Sequence, residues 1–529
     1  MQRRTVGGAV QRAVVAWAAV LMGMCLGCGA ANAHGVLGHV HVTGWAAENL
    51  PNGELREFFR EPEVFNALLF GAAFADSGFA SSIIPIPGIE PEQERKARAY
   101  GEHTHWEPFI EDFVTWIQTY DPPPWDTLES RQRVAFLMGC AAHGLQDEVF
   151  DTLFLYQVDE HDNQGQSEAD PASDGFLGRD AHLRFFPKAW MPMETLLELY
   201  ADLPEAISEE VIVDSVDILL LYVGEDGFGA DIAQGLADIH EPNMPWTRAH
   251  YLDPNIPGSL RAEIPPTMRY LQALWKRLHG ELGPDEVIIS AYPDLPRRLL
   301  SGDARSPDSW VSVIFGAGVR YRDLQPSFTD DMGVEVAHDL RNTRWGNSWP
   351  RIVRVVPTLT LEAGGWYTVG IEPGAEVING STLEQRWSFR FQVECSEDNT
   401  DDCEDLGELP APSLDGPPLT APGEGDAGLP DTATDTEPLA DTANPADIGA
   451  DATDTRADTE PDPEDTAAAD IVPADTVPAE DTARPTDTES DRGSDDGCGC
   501  AVGAPTQGPP GVLWVLWGAA LLGLKRRRR

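Results

Sequence analysis

The spacing of apolar residues changes once along this chain, near residue 310, and the change predicts two folded parts. Segments such as TLLELYADLPEAI, VIVDSVDILLLYV and TMRYLQALWKRLHGEL carry apolar residues three and four positions apart, as amphipathic helices do. From about residue 310 the pattern becomes short alternating runs, RIVRVV, TLTLEA, WYTVGIEP and RWSFRFQVEC, which are typical of strands. The sequence therefore predicts an all-α domain over residues 34–305 and a small all-β module over residues 310–395.

Composition adds a third segment, an acidic stretch over residues 396–497. It contains 31 Asp or Glu against 3 Arg, and so supplies 28 of the 51 net negative charges of the chain. Its repeated Asp-Thr dipeptides and scattered prolines cannot bury apolar surface, which predicts a disordered stalk. Because the folded parts carry no basic cluster suited to a polyanion, we expect no tight nucleic-acid binding.

The start of the chain has the layout of a secretory signal. A charged MQRR is followed by the apolar run AVVAWAAVLMGMCLG and by the small-x-small site in AANAH. This order predicts a signal peptide over residues 1–33. Cleavage after Ala33 would leave His34 as the first residue of an exported protein.

The last segment, residues 498–529, predicts surface attachment. A Cys-Gly-Cys motif precedes an apolar run, Gly511 to Leu524, that is short for an independent transmembrane helix, and an arginine cluster follows. This order resembles the MYXO-CTERM sorting signal of myxobacterial surface proteins. The resemblance implies cleavage by a sorting protease near Cys498 and Cys500, with retention at the cell surface or outer membrane, or release from it. A plain membrane anchor is the alternative.

The cysteines of the folded parts predict one bridge. Cys395 and Cys403 are close enough in sequence for a small disulfide, which an oxidising compartment permits. Cys140 stands alone, and we expect it to be a core residue rather than a nucleophile.

One helical stretch carries polar residues that need an explanation. In AAHGLQDEVFDTLF, residues 141–154, a helix would place His143, Asp147 and Asp151 on one stripe, while its other residues are largely apolar. Buried imidazole and carboxylate groups must find partners, and together they suit a divalent cation. The alternative is a polar stripe that faces water.

Further candidate ligands recur along the helical part. Each has an ordinary explanation as a core histidine, a helix cap or a turn residue, but their number and order favour a shared site. They occur in HGVLGHVHV (His34 and His39), FGAAFADSGF (Asp76), GEHTHWEPF (His105) and SEADPASDGFLGRD (Asp170 and Asp174).

Three short stretches of the helical part resemble a known protein family. HTHWEPF, PPPWDT and VAFLMGCAAHGLQD, in this order, resemble the zinc-dependent phospholipase C family, and most of all its branch of GPI-specific phospholipase D enzymes. The resemblance covers about residues 34–185. The S1/P1 nucleases are more distant: they begin W-G-x-x-G-H, where this chain has HGVLGH. The strand-like module resembles bacterial Ig-like modules.

The resemblance implies a multinuclear zinc site with two or three ions. His34 would ligate through its terminal amine and carbonyl, and further ligands would be His39, Asp76, His105, His143 and Asp147. The implied fold is an all-α phospholipase C/P1 nuclease-like domain followed by the small all-β Ig-like module and the disordered stalk.

The chain departs from the family at three expected ligands. The family usually has histidine at the position of Asp151, and a histidine followed by an acidic residue at the positions of Asp170 and Asp174. Carboxylates in these places make the site richer in oxygen, which would admit Mn²⁺, Mg²⁺ or Ca²⁺. His161 and His182 are alternative sources of nitrogen.

The implied function is phosphodiester hydrolysis of a phospholipid at a membrane surface, of phospholipase C or D type. A metal-activated water would attack in line, with Asp76 as both ligand and proton acceptor. The alternatives are a single-strand nuclease of the S1/P1 type, a catalytically inactive metal-binding surface protein, and a structural surface protein.

Overall fold

The computed structural model describes residues 35–80, 90–180, 182–224, 227–283, 286–293, 298–342 and 349–396, with a few positions between 403 and 419. All of them fall within one compact unit. The predicted signal peptide, His34, the predicted sorting signal and the predicted stalk from residue 420 onward lie outside the described residues.

The described chain up to residue 283 is built from helices. A 3₁₀-helix, Ala75–Phe79, directly follows the α-helix Pro62–Phe74, and a π-helical turn, Phe150–Phe154, directly follows the α-helix Leu128–Val149. The α-helices are α1 (Val36–Asn49), α2 (Glu54–Phe58), α3 (Pro62–Phe74), α4 (Pro91–Thr104), α5 (Glu107–Tyr120), α6 (Leu128–Val149), α7 (Leu155–Asp162), α8 (Gln166–Arg179), α9 (Met193–Leu199), α10 (Glu209–Val223), α11 (Gly229–His240), α12 (Pro245–His250) and α13 (Ile264–Leu278).

Helices α3 and α6 cross at two glycines. A Cβ atom on Gly139 would lie 2.1 Å from the carbonyl oxygen of Leu68, and one on Gly71 would lie 2.2 Å from the carbonyl oxygen of Phe136. Only residues without a side chain permit this approach of the two backbones. The crossing brings the carbonyl of Ala72 to within 2.7 Å of His143 Nδ1, one turn farther along α6.

In the part of the chain that the structure describes, seven strands form two antiparallel sheets after the helices. One sheet has the order β1-β2-β5-β4 and the other β3-β6-β7, and every pairing between neighbouring strands is antiparallel. The strands are β1 (Ile288–Tyr292), β2 (Val311–Phe315), β3 (Pro326–Asp330), β4 (His338–Arg341), β5 (Ile352–Pro357), β6 (Trp366–Ile371) and β7 (Trp387–Gln392). A helical part followed by a separate small sheet region is the predicted fold class.

The sheet region begins earlier than the sequence indicated. Strand β1 pairs with β2, for example Ala291 opposite Val313, although residues 288–292 fall inside the predicted helical domain. The run VIISAY is short, apolar except for Ser290 and without alternation, and such a run does not distinguish a strand from a buried helical segment.

Strands β2 and β5 are buried on both faces. Ile314 and Ile352 pack into the helical core, while Val313 and Val353 belong to an apolar cluster on the other side, shared with Ile371 of the second sheet. The first sheet therefore lies between the helices and the second sheet. Burial on both faces explains why β2, VSVIF, is apolar at every position except Ser312.

Cysteine behaviour follows the sequence prediction. Cys395 and Cys403 form a disulfide, and Cys140 is a free, buried thiol whose pKa is raised by that burial.

Part of the predicted stalk contacts the helices: the carbonyl of Ser413 accepts a hydrogen bond from Asn49, and that of Pro412 accepts one from Arg261. Within the part of the chain that the structure describes, no helix is long and apolar enough to span a membrane.

Candidate metal centre

Five of the predicted ligands lie together in the helical core. His39 comes from α1, Asp76 from the 3₁₀-helix, and His143 and Asp147 from α6, while His105 directly follows α4. All five are buried, and Asp147 is the most exposed at 6 %. Two groups place their ligand atoms within 4.8 Å of one another: His39, Asp76 and His143, and His105, His143 and Asp147. Either group could hold a metal ion.

The spacing of the ligand atoms suits a tetrahedral cation. Zn²⁺ binds nitrogen and oxygen at about 2.0–2.2 Å, so two tetrahedral ligand atoms lie about 3.4 Å apart. Asp147 Oδ2 lies 3.4 Å from His143 Nε2 and 3.5 Å from His105 Nε2. Asp76 Oδ1 lies 3.6 Å from His105 Nε2. These distances are longer than a good hydrogen bond, and they match the edges of a coordination tetrahedron.

In His105 and His143, the hydrogen bond made by Nδ1 leaves Nε2 as the nitrogen that faces the cluster. His105 Nδ1 donates to the carbonyl of Gly101 at 2.6 Å, and His143 Nδ1 donates to that of Ala72 at 2.7 Å. Because a carbonyl oxygen only accepts, Nδ1 carries the hydrogen in both rings. The Nε2 atoms of the neutral rings therefore present lone pairs to the cluster, as metal-ligating histidines do.

His39 is held in the same manner on the other side of Asp147. Its Nδ1 lies 3.0 Å from the side-chain oxygen of Gln146, whose amide nitrogen donates to Thr43. Its Nε2 lies 3.1 Å from Asp147 Oδ1, and its ring stacks on that of His143 at 3.7 Å. Asp147 thus turns one oxygen toward His39 and the other toward His105 and His143.

Electrostatics indicate an excess of negative charge in the cluster. Burial opposes protonation of His105, yet the carboxylates of Asp76 and Asp147 outweigh it and raise the pKa of His105 to about 9. Burial, followed by the nearby Asp151, raises the pKa of Asp170 well above its usual range. A divalent cation bound here would offset this negative charge.

The remaining predicted ligands are placed differently. Asp151 lies in the π-helical turn and Asp170 on α8, both buried, but neither belongs to the two groups that could hold a metal ion. Asp174 caps α1: its carboxylate accepts the backbone N–H groups of Leu37 at 3.1 Å and Gly38 at 2.8 Å. It also accepts a hydrogen bond from the Tyr222 hydroxyl at 2.8 Å. Burial raises the pKa of Asp174 to about 6.

His161 and His182, the alternative sources of nitrogen, belong to neither ligand group, whereas the ring of Trp106 lies against that of His105 with centroids 6.4 Å apart. His161 stacks on Trp246 with ring centroids 4.8 Å apart. The backbone N–H of His182 donates to the carbonyl of Leu177. Trp106 is only partly buried and donates its indole N–H to Glu102.

Sequence reasoning missed two groups around the site. Glu263 precedes α13 and is buried, and burial together with Asp147 and Asp151 raises its pKa well above the usual range. Gln146 orients His39 and sits inside AAHGLQD, so its spacing from His143 was a usable signal. No sequence signal pointed to Glu263, because it lies more than 100 residues from Asp147 and Asp151 in the sequence.

A further buried histidine, His41, has a structural role that predicts pH dependence. Its Nδ1 donates to the carbonyl of Leu37, its Nε2 accepts the N–H of Arg184, and burial lowers its pKa to about 4. The unfolded chain takes up a proton below about pH 6.5, while folded His41 stays neutral until about pH 4. This contribution to stability is present above pH 6.5 and is lost on acidification, by about 2 kcal/mol at pH 5.

Urea unfolding between pH 7 and pH 5 checks this expectation. The variant His41→Gln, which is neutral throughout, should lose about 2 kcal/mol less than the wild type over that interval. Equal losses in the two proteins would show that His41 does not resist protonation.

Comparison with known proteins gives partial matches. Phosphatidylinositol-glycan-specific phospholipase D from Rattus norvegicus is 24% identical over 213 residues, which are 37% of this chain and 24% of that protein. The Homo sapiens protein of the same name is 30% identical over 133 residues, 23% of this chain and 16% of its own. The chain thus spans about a quarter or less of the length of these curated relatives.

No protein-family model matches the sequence. Among solved structures, CopC from Methylosinus trichosporium OB3b aligns with 21% of this chain and 94% of its own at 19% identity. The TM-score of 0.17 is too low to assign a shared fold. Over part of its length, the chain is therefore distantly similar to phosphatidylinositol-glycan-specific phospholipases D, in agreement with the branch indicated by HTHWEPF and VAFLMGCAAHGLQD.

Proposed function

We propose that this protein is a metal-dependent phosphodiester hydrolase that acts on phospholipids. The observation that carries the proposal is the buried convergence of His105 Nε2, His143 Nε2 and Asp147 Oδ2 at separations that suit a tetrahedral cation. The similarity to phospholipases D supports a lipid phosphodiester as the substrate class.

The donor set fits Zn²⁺, because it combines imidazole nitrogen with carboxylate oxygen and fixes both ring tautomers. His105, His143, Asp147 and Asp76 would hold one ion. The other oxygen of Asp147, beside His39, would contribute to a second. A bound divalent metal lowers the pKa of water and offsets the negative charge of a phosphodiester.

The protein groups then divide the remaining work. The carbonyls of Gly101 and Ala72 keep two Nε2 atoms aimed at the site, so the ligands need no reorganisation when metal binds. Asp76 has two carboxylate oxygens, and it can ligate through one while the other accepts a proton from the attacking water. Burial of all these groups keeps bulk water from screening their charges.

Export and surface attachment belong to the same proposal. Cleavage of a signal peptide over residues 1–33 would free the amino group of His34 to act as a ligand. The next residue, Gly35, lies against the Asp174 carboxylate that caps α1. The stalk and sorting signal would hold the helical part near a membrane, where its phospholipid substrate lies.

Metal analysis and turnover on one sample test the proposal. The purified full chain is analysed for bound zinc and assayed on vesicles of several phospholipids and on single-stranded DNA. We expect one or more zinc ions and lipid cleavage that a chelator stops and added zinc restores. Zinc without cleavage of either substrate would leave a metal-binding protein, and cleavage of DNA alone would assign a nuclease.

A further inference from the structure

A buried arginine from the sheet region reaches the back of the metal centre. Arg351, the residue before β5, is fully buried. Its Nη2 donates to the carbonyl of His105 at 2.9 Å and to Glu148 Oε1 at 3.0 Å, and its Nε donates to the same carboxylate oxygen at 3.1 Å. Its backbone N–H donates to Glu148 Oε2 at 2.6 Å. One residue thus joins the segment of one candidate ligand to the helix of two others.

Helix α6 has a glycine where this arginine passes. A Cβ atom on Gly144 would lie 2.2 Å from the carbonyl oxygen of His105 and 2.6 Å from Arg351 Nη2. Gly144 directly follows His143, so the guanidinium and the His105 carbonyl touch α6 at the ligand itself. This approach is possible only because residue 144 has no side chain.

The contact also satisfies groups that burial would otherwise penalise. His105 is the C-cap residue that follows α4, and the carbonyls at the end of a helix lack partners within it. Arg351 donates to that carbonyl, while Glu148 and, at 3.8 Å, Glu107 balance its charge. Glu107 is in turn held by Arg277 at 2.6 Å and by the Tyr270 hydroxyl at 2.9 Å. The guanidinium is therefore fixed from two sides.

We propose that Arg351 is a positioning residue of the metal centre, through which the sheet region holds the His105 segment against α6. The inference rests on the metal site of the proposed function. It gives the sheet region a part in metal binding, because the spacing of His105 from His143 and Asp147 depends on a residue outside the helical part.

The chain offers a matched control on the same strand. Arg354 is also buried, between the rings of Tyr156 and Trp310 at 4.7 Å and 4.8 Å from their centroids. It donates to the carbonyl of Asn342 and binds the sheet to α7. None of these contacts involves His105 or α6, so losing Arg354 weakens the docking of the sheet without touching the ligands.

The test is the affinity of the full chain for Co²⁺, used as a spectroscopic substitute for zinc, in the wild type and three variants. Arg351→Met alone would leave Glu148 buried without its partner, so the decisive variant is Arg351→Met combined with Glu148→Gln. We expect this double variant to bind Co²⁺ about 10–100-fold more weakly than the wild type, with an altered visible spectrum. Arg354→Met should stay within about twofold of the wild type and keep its spectrum. Arg351→Lys, which keeps the charge but loses the forked geometry, should fall between the two.

Each other outcome has a separate meaning. Unchanged Co²⁺ affinity and spectrum in the double variant would overturn the positioning role, as would an equal loss in Arg354→Met, since docking alone would then explain it. A wild type that binds Co²⁺ but cleaves no phospholipid would overturn the proposed substrate and leave this inference standing. A wild type that binds no Co²⁺ would overturn both.

Discussion

Replacing Asp147 by Asn is expected to remove bound metal and to lower phosphodiester turnover by about 10³-fold or more. Asp147 is the carboxylate that faces all three imidazoles, His39 through Oδ1 and His105 and His143 through Oδ2. Charge neutralisation by a metal is worth several kcal/mol in the transition state, and each 1.36 kcal/mol is a factor of ten in rate. Asparagine keeps the shape of the side chain and removes the charge.

The same substitution should affect the metal-free protein. Burial favours the neutral form of Asp147, but His143 and His39 outweigh it and hold the pKa of this carboxyl well below its usual range. The negative charge of Asp147 in turn works against burial to raise the pKa of His39, and Asp147→Asn, which removes this attraction, should lower the thermal stability of the metal-free chain.

Asp162→Asn is the matched control for this experiment. Asp162 is a carboxylate that caps α12 by accepting the N–H groups of Trp246 and Thr247, and it is not in the cluster. Its loss should cost about 1 kcal/mol of stability and leave zinc content and turnover unchanged. Zinc content by elemental analysis and initial rates on phospholipid vesicles are the measurements. Full zinc and wild-type rates in Asp147→Asn would show that this cluster is not the catalytic site.

Adding a single methyl group at Gly139 is expected to destabilise the protein by about 3 kcal/mol or more. In Gly139→Ala the new Cβ would lie 2.1 Å from the Leu68 carbonyl oxygen and 2.7 Å from the Ala72 nitrogen. Both are backbone atoms of α3, so the helices must move apart rather than a side chain turn aside, and overpacking of this kind is costly. Moving α3 also withdraws the Ala72 carbonyl from His143 Nδ1.

Denaturant unfolding and zinc affinity measured on one preparation test both parts of this prediction. Gly53→Ala is the control, because its nearest non-neighbouring atom is the Pro51 carbonyl oxygen at 4.0 Å and its backbone is extended. We expect Gly53→Ala to retain wild-type stability and affinity. A Gly139→Ala protein as stable as the wild type would mean that α3 and α6 can separate without loss, and that their crossing does not hold the site together.

Sequence periodicity carried the prediction of fold class, and its errors have a local cause. Amphipathic spacing in α10 and α13 and alternation in β6 and β7 are properties of single segments, so they can be read without knowing what each segment contacts. Strand β1 was missed because its run is mostly apolar and does not alternate. The end of the folded part was also placed early, since the contacts of Pro412 and Ser413 with the helices depend on residues more than 150 positions away.

The candidate site divides in the same way. His143 and Asp147 share a helix, so a spacing of four places them on one face in the sequence itself. The resemblance added His39, Asp76 and His105, and the structure brings these side chains to the same cluster. Asp151 and Asp170 are buried near it without joining either ligand group, and Asp174 caps α1. His34 lies outside the described residues, and its role stays a prediction.

Side-chain chemistry and local period are determined by the sequence alone, and they indicated a helical part, a strand region and a row of potential ligands. Tertiary structure decided the rest. Which ring nitrogen faces the cluster depends on the carbonyls of Gly101 and Ala72, and the position of His105 depends on Arg351, 246 residues later. The physical reason is that a hydrogen bond to a distant backbone carbonyl depends on how helices and sheet pack, and no short segment of sequence contains that information.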